Sequence, residues 1–459
     1  MALTTADIAH ILLALALLLI SAHAGGSVFA RFRQPRVIGE ILGGLLLGPT
    51  LFQAVLPHQQ AWLFPKTGAT PVVLGALYQL GLLLLMFVSG AEVRSSFRRS
   101  EIGTIFSVAV TGMVFPFLAG LVLLKLISSD RFIGPAGNST SFLLIFAIAI
   151  AVTSIPVISR IMHDLGILDT AFARIVLGVA VIEDIVLYVV LAIALSLAKQ
   201  TPGALFGLPE LLGIKHGAGW STAYHSVVTI AFLGFFLLFG RSLYGRLWRF
   251  RFNLLRKSSP VAHQLVFMLA ASLACMFLGI VPLFGAFVAG IVVGSSGTEP
   301  PSAQEAIKGF SFAFFVPVYF AVVGLNLDLL KGFSPGFFLF FFLFACAAKA
   351  SSVYAGAKLS GRSSRASRNL AVAMNARGGP GIVLASVAYE ARIITQPFYA
   401  VLVLLAVITS LVAGSWLERV PKSHLLEVPD TAPLPDDPSL VSPNGKRMAA
   451  GRRKRPSLR

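Results

Sequence analysis

The chain has 459 residues, of which 56% are hydrophobic and only 12% charged, and its mean hydropathy is +0.84. A soluble domain carries roughly 25% charged residues, so this composition excludes a water-soluble globular protein and places the chain in a bilayer. The net charge of +18 does not point to nucleic acid, because the bases lie in short loops between apolar runs, the pattern of the positive-inside rule.

A membrane-spanning helix needs about 20 apolar residues. The pattern predicts an all-α polytopic membrane protein with about thirteen transmembrane helices, at 8–30, 37–54, 72–90, 101–126, 139–162, 170–198, 222–243, 262–279, 282–297, 304–326, 335–359, 368–390 and 396–418. The first run is read as a true span and not as a signal peptide, since no Lys or Arg precedes Arg31. The eighth and ninth are separated only by Gly279-Ile280-Val281-Pro282. This gives one membrane domain over 1–418 and a basic tail over 419–459. The tail is rich in Pro, Asp and Ser, ends in Arg452-Arg453-Lys454-Arg455, and is expected to be disordered. Its bases read as a positive-inside tail or as a contact for anionic lipid.

With the N-terminus outside, nineteen bases fall in inside loops and seven in outside loops, so the expected topology is N-outside and C-cytoplasmic. Cys275 and Cys346 both lie in apolar runs and read as small packing residues. No Cys/His cluster has metal-ligand spacing.

The sixth span carries Glu183-Asp184 near its middle, in a run otherwise uncharged from about Arg174 to Lys199. Each such acid costs roughly 2.5–3.5 kcal/mol on insertion scales, and intramembrane ionisable residues mark ion and proton pathways. Adjacent helix positions point about 100° apart, so both acids can border one cavity. A carboxylate that takes either a proton or a cation, never both, is the minimal unit of exchange, and such a pair titrates together. The competing reading is a structural acid paired with Lys349 or Arg377. Lys349 sits centrally in the eleventh span, too deep to snorkel. It reads as a partner of Glu183 or Asp184, or as a counter-ion that never titrates.

Two spans look broken. The fifth contains Thr153-Ser154-Ile155-Pro156, and the twelfth contains Asn375-Ala376-Arg377-Gly378-Gly379-Pro380. Non-helical backbone at membrane depth is tolerated only where it is buried in protein or lines a cavity. The two spans are seven apart, as in an inverted repeat around the seventh, and paired interruptions of this kind point to a transporter site. Thr153, Ser154, Asn375 and Arg377 are therefore supporting candidates. An ordinary Pro kink in each helix is the plainer alternative.

The Gly-rich stretches Gly39-Glu40-Ile41-Leu42-Gly43-Gly44 and Gly285–Gly294 have small-xxx-small spacing and permit close helix packing. Glu40, near a span end, is given a structural role. His163 and His263 read as interfacial polar residues, with a pH-sensing role as the alternative.

Several segments, taken in order, carry a resemblance. Gln34-Pro35-Arg36-Val37-Ile38-Gly39-Glu40, Leu47-Gly48-Pro49, Gly81–Glu92, Ser154–Ile161, Phe284–Gly290, Pro317–Leu325 and Asn375-Ala376-Arg377-Gly378 together resemble the monovalent cation:proton antiporter-2 family, over about residues 8–418. The resemblance implies a sodium/proton antiporter-like fold with a panel of dimerising helices, hence a homodimer. It also implies a six-helix core with two crossed, broken helices, and an elevator-like step. It places Glu183 and Asp184 at the family's cation-site pair, with Asp184 the ion-binding acid. Lys349 falls where electrogenic members often carry a lysine. Glu-Asp departs from the family's usual Asp-Asp and from the Asn-Asp or Gln-Asp of many electroneutral members. Potassium-efflux members tend to carry a C-terminal nucleotide-binding domain, and with only 419–459 after the last span no such domain is expected.

The expected function is exchange of a monovalent cation, sodium or potassium, for protons across the cell (inner) membrane. No enzyme activity, cofactor or nucleic-acid partner is implied. Two other classes stay open: a proton-coupled exporter of an organic solute on the same scaffold, and a channel or non-transporting membrane sensor.

Overall fold

The computed structural model describes residues 3–426 apart from 33, 93–98, 155–157, 159–160, 163–164, 168–169, 199–206, 212–218, 251–257, 298–299 and 422–423. Pro156, His163 and the basic end of the tail lie outside the described residues. Among those described, the regular structure is helical and there is no strand.

The helices in order are α1 (Thr5–Arg31), α2 (Arg36–Leu47), α3 (Ala69–Ala91), α4 (Arg99–Leu126), α5 (Ser139–Ala151) and α6 (Ala171–Leu197). α7 (Gly219–Phe235) continues through a π turn into Arg241–Arg249, and is followed by α8 (Pro260–Phe277) and α9 (Pro282–Ser296). α10 (Pro301–Phe310) likewise continues through a π turn into Val316–Leu325. The chain then forms α11 (Pro335–Leu359), α12 (Ser364–Ala373), α13 (Gly378–Glu390) and α14 (Gln396–Arg419). Among the described residues, eleven stretches are long and apolar enough to cross a bilayer, and α5 and α9 are shorter apolar helices. Each expected span finds a helix at its place. The second is shorter than its apolar run, since α2 stops at Gly48 and a separate turn follows at Phe52–Val55. The eighth and ninth are distinct because Gly279 takes φ +76 between them and Pro282 opens α9.

The helix ends follow local chemistry. Asn138 caps α5 reciprocally with Ser141, and Ser334 and Ser363 cap α11 and α12. At the other end of α5, Val152 turns extended and the helix stops in mid-apolar sequence.

The helices pack in two layers. α1, α2, α3, α8, α9 and α10 form one; α4, α5, α6, α11, α12, α13 and α14 form the other. α7 packs on α6 with its first half and on α9 with its second. In the first layer glycines permit close backbone approach. A Cβ on Gly44 would strike the Ala321 carbonyl, and one on Gly290 the Phe87 carbonyl. In the second layer α13 is buried from Gly378 to Ala388, which puts the twelfth-span interruption deep inside protein.

Candidate ion-binding site

The site begins with the two interruptions. α5 ends at Ala151 with Val152 extended, α12 ends at Ala373 in a turn at Met374–Asn375, and the two interruptions lie against each other. Ser154 N donates to Ala376 O at 2.7 Å, and Thr153 Oγ1 donates to Met374 O at 2.6 Å. On the far side of the break, Gly379 N donates to Ser154 Oγ, and Gly378 N to Ser410 Oγ. The orphan groups of the interrupted helices are thus satisfied by the opposite interruption and by α14. The two interruptions that the sequence marks are in direct contact.

A helix ending in mid-protein leaves carbonyls with partial negative charge. Arg377 and Lys349 meet those of α5. Arg377 is fully buried; its Nε donates to Ala149 O at 3.2 Å and its Nη2 to Ile150 O and Ala345 O at 2.9 Å each. Its Nη1 donates to the backbone and side-chain oxygens of Asn375. Lys349 Nζ donates to Ala151 O and to Gly112 O at 2.9 Å.

The third Lys349 bond goes to Glu183 Oε1 at 2.6 Å, with both side chains fully buried. An ammonium has three donors, and all three of these have partners. Glu183 and Asp184 lie halfway along α6, and neither is exposed. Thr153 and Arg377 are in electrostatic reach of Glu183. The single Thr153 hydroxyl hydrogen is already given to Met374 O. Glu183 Oε2 and both Asp184 oxygens therefore have no hydrogen-bond partner among the described residues.

Three unpartnered carboxylate oxygens in a water-poor interior are costly. They form a donor set suited to a hard cation or a proton. The two acids are unequal. Lys349 holds one oxygen of Glu183, and no described residue hydrogen-bonds Asp184. Among the described residues no group of three or more His, Cys, Asp or Glu could hold a metal.

Residues 14–422 match the sequence profile of the family described as sodium/hydrogen exchanger, transmembrane. The chain belongs to the sodium/hydrogen exchanger family. With that membership it is a transporter and not an enzyme. It is 27% identical over 405 residues to a Na(+)/H(+) antiporter of Synechocystis, covering 86% of this chain and 93% of that one. It is 28% identical over 400 residues to K(+)/H(+) antiporter 1 of Saccharomyces cerevisiae, covering 84% of this chain and 43% of that one. The chain thus spans nearly all of the cyanobacterial exchanger and under half of the yeast one. It matches the solved structure of a sodium proton antiporter from Methanocaldococcus jannaschii with a TM-score of 0.57 at 15% identity, over 89% of this chain and 98% of that one. That likeness is one of fold.

The remaining expected residues fall apart from the site. Glu40 is buried within α2. His263 is buried near the start of α8, its Nδ1 3.2 Å from Tyr244 Oη. Cys275 and Cys346 are both free. Gly112 and Tyr188 were not read from the sequence. A Cβ on Gly112 would crowd Val353 Cγ2 and approach Glu183 Oε1 and Lys349 Nζ. Its smallness and its carbonyl admit the ion pair, and the signal for it is only a glycine in a long apolar span. For Tyr188 the one signal is its place a turn after Asp184 on the same helix.

Proposed function

We propose that this chain exchanges a monovalent alkali cation, sodium or potassium, for protons across a cell membrane, with Asp184 as the shared ligand. The observation that carries the reading is the pair of unpartnered Asp184 oxygens beside an acid that Lys349 already holds. A cation and a proton compete for Asp184, so each leaves when the other binds. Glu183 and Lys349 set the charge of the site. Thr153, Ser154, Asn375 and Arg377 hold the two interruptions in which it sits. Family membership and the names of the similar exchangers support the same reading.

The layered packing supports an elevator-like step. The layer that carries both broken helices and the acids moves as a unit against the layer of α1, α2, α3, α8, α9 and α10, which forms the homodimer contact. The excess of bases in alternate loops supports an N-terminus outside and a C-terminus in the cytoplasm, with 1–418 as the membrane domain and 419–459 as a disordered basic tail.

The test is reconstitution with a pH-sensitive dye inside the vesicles. Sodium or potassium is expected to move protons between pH 6 and 9. Failure of sodium, potassium and lithium alike overturns the proposal.

A further inference from the structure

A second polar line leaves Asp184 along the boundary between the two layers. Tyr188, one turn beyond Asp184 on α6, is within electrostatic range of Asp184 and of Tyr319 of α10. The Tyr319 ring lies 5.0 Å from that of Tyr78 on α3. Ser386, on α13, faces Tyr319 and Tyr78. Tyr319 Oη and Ser386 Oγ are buried and have no hydrogen-bond partner among the described residues. The line ends at Glu390, the exposed last residue of α13. Its Oε2 accepts from Gln79 Nε2 at 2.8 Å, and Tyr78 neighbours the same carboxylate.

Two features single this line out. It alternates between the layers, with Tyr188, Ser386 and Glu390 on one and Tyr319, Tyr78 and Gln79 on the other. Two hydroxyls in its middle, Tyr319 Oη and Ser386 Oγ, are buried with no hydrogen-bond partner among the described residues, which an interior tolerates only at a cost. Hydroxyl oxygens and a terminal carboxylate are ligands for a hard monovalent cation. A negative group at the mouth raises the local cation concentration.

We infer that Glu390 and Gln79 form an outer cation-binding site, from which the cation reaches Asp184 along Tyr78, Ser386, Tyr319 and Tyr188. The inference rests on the antiport reading above. In the conformation described, the Gln79–Glu390 hydrogen bond joins the two layers and closes the route. When the layers shift, the bond breaks and the carboxylate is free to take the ion.

The test is exchange by the full chain in proteoliposomes of uniform orientation, with sodium or potassium presented to one side at a time. Glu390→Gln keeps the shape and a hydrogen bond to Gln79. It is expected to raise KM for the cation by about tenfold on the Glu390 side, the scale of one charge-assisted contact. KM on the opposite side stays as in the wild type, and Glu390→Asp recovers most of the affinity. Unchanged KM on both sides overturns the inference and leaves the antiport reading standing. An equal loss on both sides that Glu390→Asp does not recover assigns Glu390 a structural role and likewise overturns it. A wild-type chain that exchanges no alkali cation overturns both.

Discussion

Lys349 Nζ lies 2.6 Å from Glu183 Oε1, and this contact separates two neighbouring acids that the helix presents side by side. The lysine spends its other two donors on Gly112 O and Ala151 O, so none remains for Asp184. One acid is paired within the protein, and the other has no hydrogen-bond partner among the described residues.

Asp184→Asn removes the charge with little change in volume. Exchange is expected to fall to the level of protein-free vesicles, while the protein still purifies as a folded species. Retained proton flux in the dye assay would reject Asp184 as the shared ligand.

Competition fixes the sign of the pH dependence. As pH falls, protons occupy Asp184 more often and the cation binds more weakly. KM for the cation should rise by about tenfold per pH unit below the midpoint of the site, since one proton is exchanged for each unit of linkage. Above the midpoint KM should level off. Initial rates across a cation series at several pH values measure this, and a KM independent of pH would contradict it.

Breaking a buried ion pair from one side leaves an uncompensated charge. Lys349→Ala is expected to destabilise the protein by roughly 3–5 kcal/mol, whereas replacing both partners with apolar residues is about neutral. Thermal unfolding of purified Lys349→Ala, Glu183→Leu and the Lys349→Met/Glu183→Leu double variant gives the comparison. A double variant as unstable as Lys349→Ala would deny the pairing its role.

Arg377 holds the carbonyls of Ala149, Ile150 and Ala345. Removing it exposes the Ala149 and Ile150 carbonyls, at the broken end of α5, to a penalty of roughly 1–3 kcal/mol each. Arg377→Ala is expected to lower the yield of monodisperse protein sharply. Arg377→Lys restores only part of it, because an ammonium cannot span the acceptors that a guanidinium fork reaches. Size-exclusion profiles and unfolding temperatures check the order.

Gly112 is predicted to matter by its size alone. Gly112→Ala puts a methyl against Val353 and near the Glu183–Lys349 contact. Exchange is expected to weaken more than stability does, which parallel rate and melting measurements on the variant would register.

Particular residues explain how much could be read in advance. The apolar runs are long and the bilayer is thick, so the span positions followed from length and hydropathy. Glu183 and Asp184 were conspicuous because an acid in hydrocarbon is expensive. Asn375-Ala376-Arg377-Gly378-Gly379-Pro380 announced an interruption because its backbone cannot continue an apolar helix without compensation. The partners of Arg377 were not legible, since they are backbone carbonyls at the end of a helix more than two hundred residues away, and a carbonyl has no letter of its own. The line from Tyr188 to Glu390 was illegible for a related reason. Tyrosines and a serine in apolar helices are ordinary, and only their placement across two layers brings them together.

By itself the sequence determined a many-span helical protein with two interrupted helices and an acidic pair at mid-membrane. Those features rest on the solvent cost of charge and unpaired backbone, which is local. Tertiary structure decided that the interruptions meet, that Lys349 chooses Glu183, and that Asp184 has no hydrogen-bond partner among the described residues. Those outcomes depend on distances between helices far apart in the chain, where a shift of a few ångströms changes which oxygen an ammonium can reach.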